Sequence, residues 1–277
     1  MSDARRAVDA TLYVRRVDTP VGCCPGRFAP GYKAIVVNSW TETIKGSVRR
    51  RLTARQQVLA RCLLRGKPWP RWGNLRRVDP FSANFGFDRG TPIDRFYLHR
   101  FLDQNRDVIT GDVLEIQSPG YTRLFGRHVR RADSVDINPA VLPTYVCDLA
   151  KSGGVIPPDR YDCFLLPNTL CVLQDIEGCL RQAVRVVKPG GTVLATTAAF
   201  VPLTPDYPDY WHLSADGWRE VALRSWSGCG VEIHSHGNCL AAVAAMLGLA
   251  VEELTPAELE VDDPRYPVLV TLKCVRR

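Results

Sequence analysis

From residue 108 to its end the chain alternates short apolar runs with stretches of helical periodicity, a pattern that restricts this part to an α/β domain on a mostly parallel sheet. The runs that read as strands are Asp112 to Ile116, Ser134 to Ile137, Thr144 to Cys147, Asp162 to Leu166 and Thr192 to Thr196. Between the last two, Ile176, Leu180, Ala183, Val184 and Val187 recur at helical offsets. Lys188-Pro189-Gly190-Gly191 then reads as the stop of that helix, which completes a β-α-β unit. A strand near Val231 to His234, an Ala/Leu helix from about Leu240, a capped turn at Thr255-Pro256-Ala257-Glu258 and a last strand from Pro267 to Val275 bring the expected strands to seven.

Residues 1–107 read as an N-terminal extension, and 108–277 as the core. Thr11 to Arg16 and Lys33 to Asn38 suggest a hairpin. Thr53 and Gln56 have capping-box spacing ahead of Val58, Leu59, Cys62 and Leu63, so a helix is expected to run to about Gly66. Residues 67–92, rich in Pro, Trp, Gly and Arg, predict an ordered coil, and Asp94 to Gln104 a second helix. The formal charge is +7, with 21 Lys/Arg against 9 Asp/Glu in 1–107 and 15 against 20 in the rest. That asymmetry raises a polyanionic partner, but the basic residues alternate with Leu, Val and Trp, so nucleic acid is disfavoured. Ten cysteines lie scattered without a C-x-x-C pair, which argues against zinc or a disulfide framework. Cys147, Cys163 and Cys274 fall in strand-like runs as small buried hydrophobes, while Cys23-Cys24 sits in a Gly/Pro-flanked loop. The longest apolar run, Leu240 to Leu247, is far short of the roughly 20 residues of a membrane span. The start Met-Ser-Asp-Ala-Arg-Arg lacks a secretory pattern, so a cytoplasmic location is expected.

In an open α/β sheet, ligands lie beyond the carboxyl ends of the strands. The first strand leads into Glu115, Gln117, Ser118, Gly120 and Tyr121; the second ends in Asp136-Ile137 and the third in Asp148-Leu149. Asp136, 21 positions beyond Glu115, is placed to accept from two ribose hydroxyls. Asp148 is suited to an adenine amino group and Leu149 to a ring face. The alternative is that these carboxylates cap helices.

Here the chain resembles the class I S-adenosylmethionine-dependent methyltransferases. The resemblance rests on Asp112-Val113-Leu114-Glu115-Ile116, Asp136, Asp148-Leu149, Tyr161-Asp162-Cys163-Phe164 and Val186-Val187-Lys188-Pro189-Gly190-Gly191-Thr192-Val193-Leu194. It is more specifically similar to a bacterial subgroup, some of whose members accompany glycosyltransferases or biosynthetic clusters. That likeness is carried by Trp72-Gly73-Asn74-Leu75-Arg76-Arg77, Asp88-Arg89-Gly90-Thr91-Pro92-Ile93-Asp94-Arg95, Asp209-Tyr210-Trp211 and Glu252-Glu253-Leu254-Thr255-Pro256. The resemblance implies a Rossmann-like seven-stranded sheet flanked by helices, S-adenosylmethionine as cofactor, no metal, and methylation of a hydroxyl or amine on a small-molecule acceptor. It points to secondary metabolism such as antibiotic biosynthesis, with a homodimer compatible. The first loop departs from the family's acidic-x-Gly-x-Gly-x-Gly: Gln117 and Pro119 replace glycines and only Gly120 remains. Glycine is favoured there because it adopts positive φ freely, so a catalytically inactive cofactor-binding module is the rival reading, and an RNA methyltransferase a more distant one.

By resemblance Asn168, Thr169 and Leu170 line the groove between cofactor and acceptor, and Arg89 or Arg95, beside Asp94, pairs with the methionine carboxylate. The competing reading of this segment is a Gly-Thr-Pro turn opening a helix. His212 is the best-placed general base, or else a histidine at a helix start capped by Ser214; His99 is a second candidate. His234 and His236 read as structural. Trp69, Trp72 and Trp211 wall an acceptor site or fill the join with the extension.

Overall fold

The computed structural model describes residues 53–66 and 72–277. The expected hairpin, Cys23-Cys24 and Trp69 lie outside them. The chain divides into two compact units, one ending at Gly73 and one spanning Asn74–Arg277. In the first, helix α1 (Ala54–Leu64) starts with the expected capping box: Thr53 Oγ1 accepts from Gln56 N–H at 3.3 Å, and Thr53 N–H donates back to Gln56 Oε1 at 2.8 Å.

The second unit is a seven-stranded Rossmann-like sheet between two helical layers. Its strands are β1 (Gly111–Ile116), β2 (Val129–Asp136), β3 (Tyr145–Val146), β4 (Tyr161–Leu166), β5 (Val187–Ala198), β6 (Gly230–His236) and β7 (Leu269–Val275), in the order β3-β2-β1-β4-β5-β7-β6. The pairs among β1 to β5 are parallel, and β7 runs antiparallel to both neighbours. The helices are α2 (Ile93–Gln104), α3 (Gly120–Phe125), α4 (Ile176–Val186), α5 (Ala215–Ser225), α6 (Cys239–Met246) and α7 (Pro256–Glu260).

Period-2 alternation divides the strands between the two faces. Leu114, Phe164, Leu166, Val193 and Ala195 pack on one side with α4 and α5. Val113, Cys163, Leu165 and Leu194 pack on the other with α2, α6 and α7. Both sides bury free cysteines, Cys163 on one and Cys274 on the other, and Cys147 is half-buried. At the amino-terminal end of the sheet, Asp162 accepts from Asp112 N–H and from Lys188 Nζ, each at 2.8 Å. Burial pushes the Asp162 carboxyl up, but these partners outweigh it and its pKa is lowered. Gly111 is obligatory beside it: its φ is +66°, and a Cβ would fall 2.3 Å from the Asp162 carboxylate.

Two strands are longer than their apolar runs predict. β2 begins at Val129, because the exposed Arg130 and Arg131 are held by Asp112, Asp162 and Asp133 instead of by apolar packing. Lys188 to Gly191 do not end α4 in a turn but open β5, with a register shift against Tyr161/Cys163 and Gly190 at φ +80°. Among the described residues no helix is long and apolar enough to cross a membrane.

Two fully buried tryptophans give a test of the core. Trp226 Nε1 donates to Leu180 O at 2.8 Å, whereas Trp218 Nε1 has no partner. Trp226→Phe loses a hydrogen bond and Trp218→Phe removes an orphaned donor, so the first should destabilise by roughly 2 kcal/mol more than the second in urea unfolding. Equal costs would contradict this account.

Candidate functional site

The order of strands reverses between β1 and β4, so the open crevice lies beyond their carboxyl ends. There Glu115, 1% exposed, is enclosed by the start of α3. Its Oε1 accepts from Tyr121 N–H at 2.9 Å, and its Oε2 from Thr122 N–H at 2.8 Å and Thr122 Oγ1 at 2.7 Å. Burial raises the Glu115 pKa, and the bonds from Thr122 and Tyr121 offset part of that rise. The carboxylate fixes the strand-to-helix loop. Within the loop Gln117 adopts φ +64°, the conformation for which glycine is favoured. Gln117 N–H donates to Val135 O, Ser118 N–H to Ile116 O and Gly120 N–H to Ser118 O, each at 2.8 Å.

Glu115, Gln117, Ser118, Gly120 and Tyr121 line a single cleft of about 1440 Å³, together with Asp136, Ile137, Asp148 and Leu149. The strand-end carboxylates therefore converge, and the capping alternative coexists with that: Asp136 Oδ1 accepts from Asn138 N–H at 2.7 Å and Asp148 Oδ1 from Ala150 N–H at 3.0 Å. The second oxygen of Asp148 lies 3.4 Å from Lys151 Nζ. Asn168 and Thr169 also line the cleft, but Leu170 is fully buried in the core beneath it. Asn168 sits at φ +47°, with its N–H donating to Thr196 Oγ1 at 2.9 Å and its side-chain amide to Asp94.

Asp94 and Arg95 stand in the first turn of α2 and face the same cleft. Gly90 and Thr91 bend before them and Pro92 bridges to Ala250, so the segment does open a helix. Arg89 is the correction. It is absent from the cleft lining because Glu253 holds it: Nε donates to Oε2 at 3.0 Å, and Nη2 pairs with Oε1. Thr91 is held likewise, by N–H to Glu252 Oε2 at 2.9 Å and by Oγ1 to Glu252 Oε1 at 2.7 Å. His99 lines the cleft between the Tyr121 and Phe125 rings, and burial, aided by Arg95, lowers its pKa. His236 lies elsewhere, against Arg100 and Thr271.

The far wall is residues 199–213, which join β5 to α5 without a helix or strand. His212 is not on the lining but touches it: its Nε2 lies 3.1 Å from Oδ2 of Asp209 and its ring centroid 5.9 Å from that of Phe200, and Asp209 and Phe200 both line the cleft. Asp209 enters the sequence reasoning only within the Asp209-Tyr210-Trp211 motif, with no role in the site. Its side chain is 6% exposed and Oδ1 has no partner. Tyr210 N–H, donating to Cys171 O at 2.8 Å, pins this wall to the turn after β4. Burial pushes the Cys171 thiol, also on the lining, to about 11. Trp211 packs on the core with Nε1 donating to Leu173 O at 2.8 Å, and Trp72 is exposed. Among the described residues no group of side chains has the makeup of a metal site.

Residues 120–195 match the model of a methyltransferase domain. No curated protein gives a significant match to the chain. Similar solved structures include an S-adenosylmethionine-dependent methyltransferase of Thermotoga maritima described as a possible histamine N-methyltransferase, with 15% identity, 69% of this chain and 95% of that one covered, and a TM-score of 0.46. Another, from Mesorhizobium loti, has 15% identity, covers 64% and 96%, and has a TM-score of 0.44. A DhpI–SAH complex has 15% identity, covers 66% and 87%, and has a TM-score of 0.43. The matched segment carries a methyltransferase domain, which makes this an enzyme that transfers methyl groups.

The Arg89–Glu253 pair has a pH signature. Arg89, with help from Ala250 N–H, holds the Glu253 carboxyl down at about 2 against an ordinary 4.5. A depressed carboxyl adds stability above the unfolded value that is lost as pH falls through the folded one. Between pH 4.5 and 2, Glu253→Gln should therefore lose less stability than the parent in urea unfolding. Parallel pH profiles would show that the pair is not linked to folding.

Proposed function

We propose that this methyltransferase transfers the methyl group to a hydroxyl or amine of a small-molecule acceptor, a natural product or sugar, as a step of secondary metabolism such as antibiotic biosynthesis. The observation that carries the reading is one continuous cleft of about 1440 Å³ holding Asp136 and Asp148 at one end and the Asp206–Tyr210 wall at the other. Single-ligand pockets run to about 1,000 Å³, so there is room for a donor and a small acceptor together.

The residues present fit the donor. Gln117 already holds the left-handed backbone usually given to glycine, and a Cβ on Gly120 would meet only Ser118 Oγ at 3.8 Å, so the loop is open on that side. In this reading Asp136, through its Oδ2, receives the ribose hydroxyls, with Ile137 alongside. Asp148 and Leu149 receive the adenine. Ser118, Gly120, Tyr121, Asn168 and Thr169 flank the methionine part, and Arg95 receives its carboxylate. Glu115 acts through the loop it fixes. When bound, S-adenosylmethionine supplies an electrophilic methyl group on a sulfonium. The chain contributes alignment of the acceptor, the main source of acceleration in an in-line displacement. His212, in contact with Asp209, would take up a proton by way of that carboxylate.

A second reading, a cofactor-binding module without turnover, is favoured by the loop amides of Gln117, Ser118 and Gly120, which are bonded within the chain. It requires equal binding of donor and demethylated product with no methyl consumed across an acceptor panel.

Charge-assisted hydrogen bonds contribute about 1.5 to 3 kcal/mol each, so Asp136→Ala should weaken S-adenosylmethionine binding by more than about tenfold. Calorimetry measures the affinity, and circular dichroism checks that the fold is retained. Unchanged affinity would remove the adenosine assignment.

A further inference from the structure

The lining of the cleft reverses the charge of the molecule. The chain carries a formal +7, yet seven carboxylates line the cleft against Arg95 and Lys151. Most of these carboxylates have local partners. Glu115 holds α3, Asp136 and Asp148 cap turns, Asp175 accepts from Gly178 N–H at 2.9 Å, and Asp94 accepts from Asn168. Asp209 differs. It receives no backbone N–H, only His212 Nε2 stands against its Oδ2, and its Oδ1 is buried and unpartnered. An acceptor oxygen buried without a donor costs roughly 1 to 3 kcal/mol, more when charged, and asks for a donor that the chain does not supply. Around it stand the exposed rings of Phe200, Tyr207 and Tyr210, which line the cleft with the second acid, Asp206. Carboxylates among aromatic faces suit a cation carried on an apolar body.

We propose that the acceptor is an amine with an aromatic or apolar body, and that its ammonium is received at Asp209, with Asp206 adding charge and the rings of Phe200, Tyr207 and Tyr210 packing around it. This narrows the function proposed above, on which it rests, from hydroxyl or amine to amine. It also makes Asp209 the group that touches the acceptor: before transfer the ammonium gives up one proton to Asp209 and on to His212, and the neutral amine that results takes the methyl group as the donor's sulfide leaves. Oδ1 is shut off from solvent in this structure, so the amine reaches it as residues 199–213 adjust. Those residues have no helix or strand to hold them, and Tyr210 N–H and Trp211 Nε1 anchor the stretch near one end.

The test is calorimetry on the full chain saturated with S-adenosylhomocysteine, titrated with three probes that share one ring: tyramine, the neutral tyrosol and the anionic 3-(4-hydroxyphenyl)propionate. Tyramine should bind about tenfold or more tighter than tyrosol, a difference of about 1.4 kcal/mol, and the propionate weakest. Asp209→Asn should erase the preference for tyramine while S-adenosylhomocysteine binds as before. Asp206→Asn, at an exposed position, should reduce the preference in part and serves if the first variant does not fold. His212→Ala should leave tyramine preferred over tyrosol, which separates proton uptake from contact with the acceptor. Tyrosol binding as tightly as tyramine, no tyramine binding, or an unchanged preference in the folded variants would overturn the amine assignment. Failure of S-adenosylhomocysteine to bind the parent protein would instead overturn the function proposed above.

Discussion

A buried carboxylate with its charge fully engaged sets the geometry of this site. Glu115 ends β1 inside the sheet, where desolvation alone favours the neutral acid, and three donors from the start of α3 converge on it. Two of those donors, the Tyr121 and Thr122 N–H groups, are among the backbone groups that a helix start leaves without intrahelical partners, so one side chain satisfies the helix and closes the turn between strand and helix. The turn is then too short for ordinary backbone throughout, and Gln117 is driven to φ +64°. A non-glycine residue in that region costs roughly 1 to 2 kcal/mol. A clamp of three hydrogen bonds to a carboxylate, at about 1.5 to 3 kcal/mol each, is large enough to hold it there. The missing glycine therefore changes what the loop costs more than it changes the path of the loop.

A second clamp works across a long sequence separation. The segment before α2 is tied to the turn before α7 by Arg89–Glu253, Thr91–Glu252 and Val251 N–H donating to Thr91 O at 2.7 Å. Gly90 passes against the Glu252 carboxylate, where a Cβ would lie 2.3 Å away. These contacts set the start of α2, and that start presents Asp94 and Arg95 to the cleft. Asp94 then reaches Asn168 after β4, so the entry to α2 and the ends of the central strands share one hydrogen-bonded network. Two short motifs that look unrelated along the chain are the two halves of one joint.

The strands were legible in the sequence where burial alone decides them. Val113, Phe164, Leu165 and Leu194 form runs that nothing but a covered sheet explains, and the capping boxes at Thr53 and Thr255 follow from spacing. The start of β2 was not legible, because ion pairs hold it. The start of β5 was not, because Lys-Pro-Gly-Gly is a turn signal that strand pairing with β4 overrides. In the site, residues adjacent to strand ends could be read, since topology fixes where they point. Arg89 could not, because its partner lies 164 residues away. Asp209 was missed for a related reason: whether a carboxylate in an irregular stretch is buried or solvated depends on packing that leaves no periodic trace.

The proposed chemistry explains why such a wall needs carboxylates. A sulfonium donor and an ammonium are both cations, and two unit charges about 4 Å apart repel by about 4 kcal/mol at an effective dielectric of about 20. Without compensation, the donor would exclude the acceptor. Asp136 and Asp148 are engaged, in the proposed reading, with the ribose and the adenine, whereas Asp206 and Asp209 on the wall answer the ammonium. Asp209 is the better placed of the latter pair for this purpose. Its burial removes much of the water that screens the exposed Asp206, so of the two its field on a nearby cation is the stronger. His212 keeps one oxygen occupied and leaves the other as the acceptor without a donor, so a cation is drawn to that one oxygen.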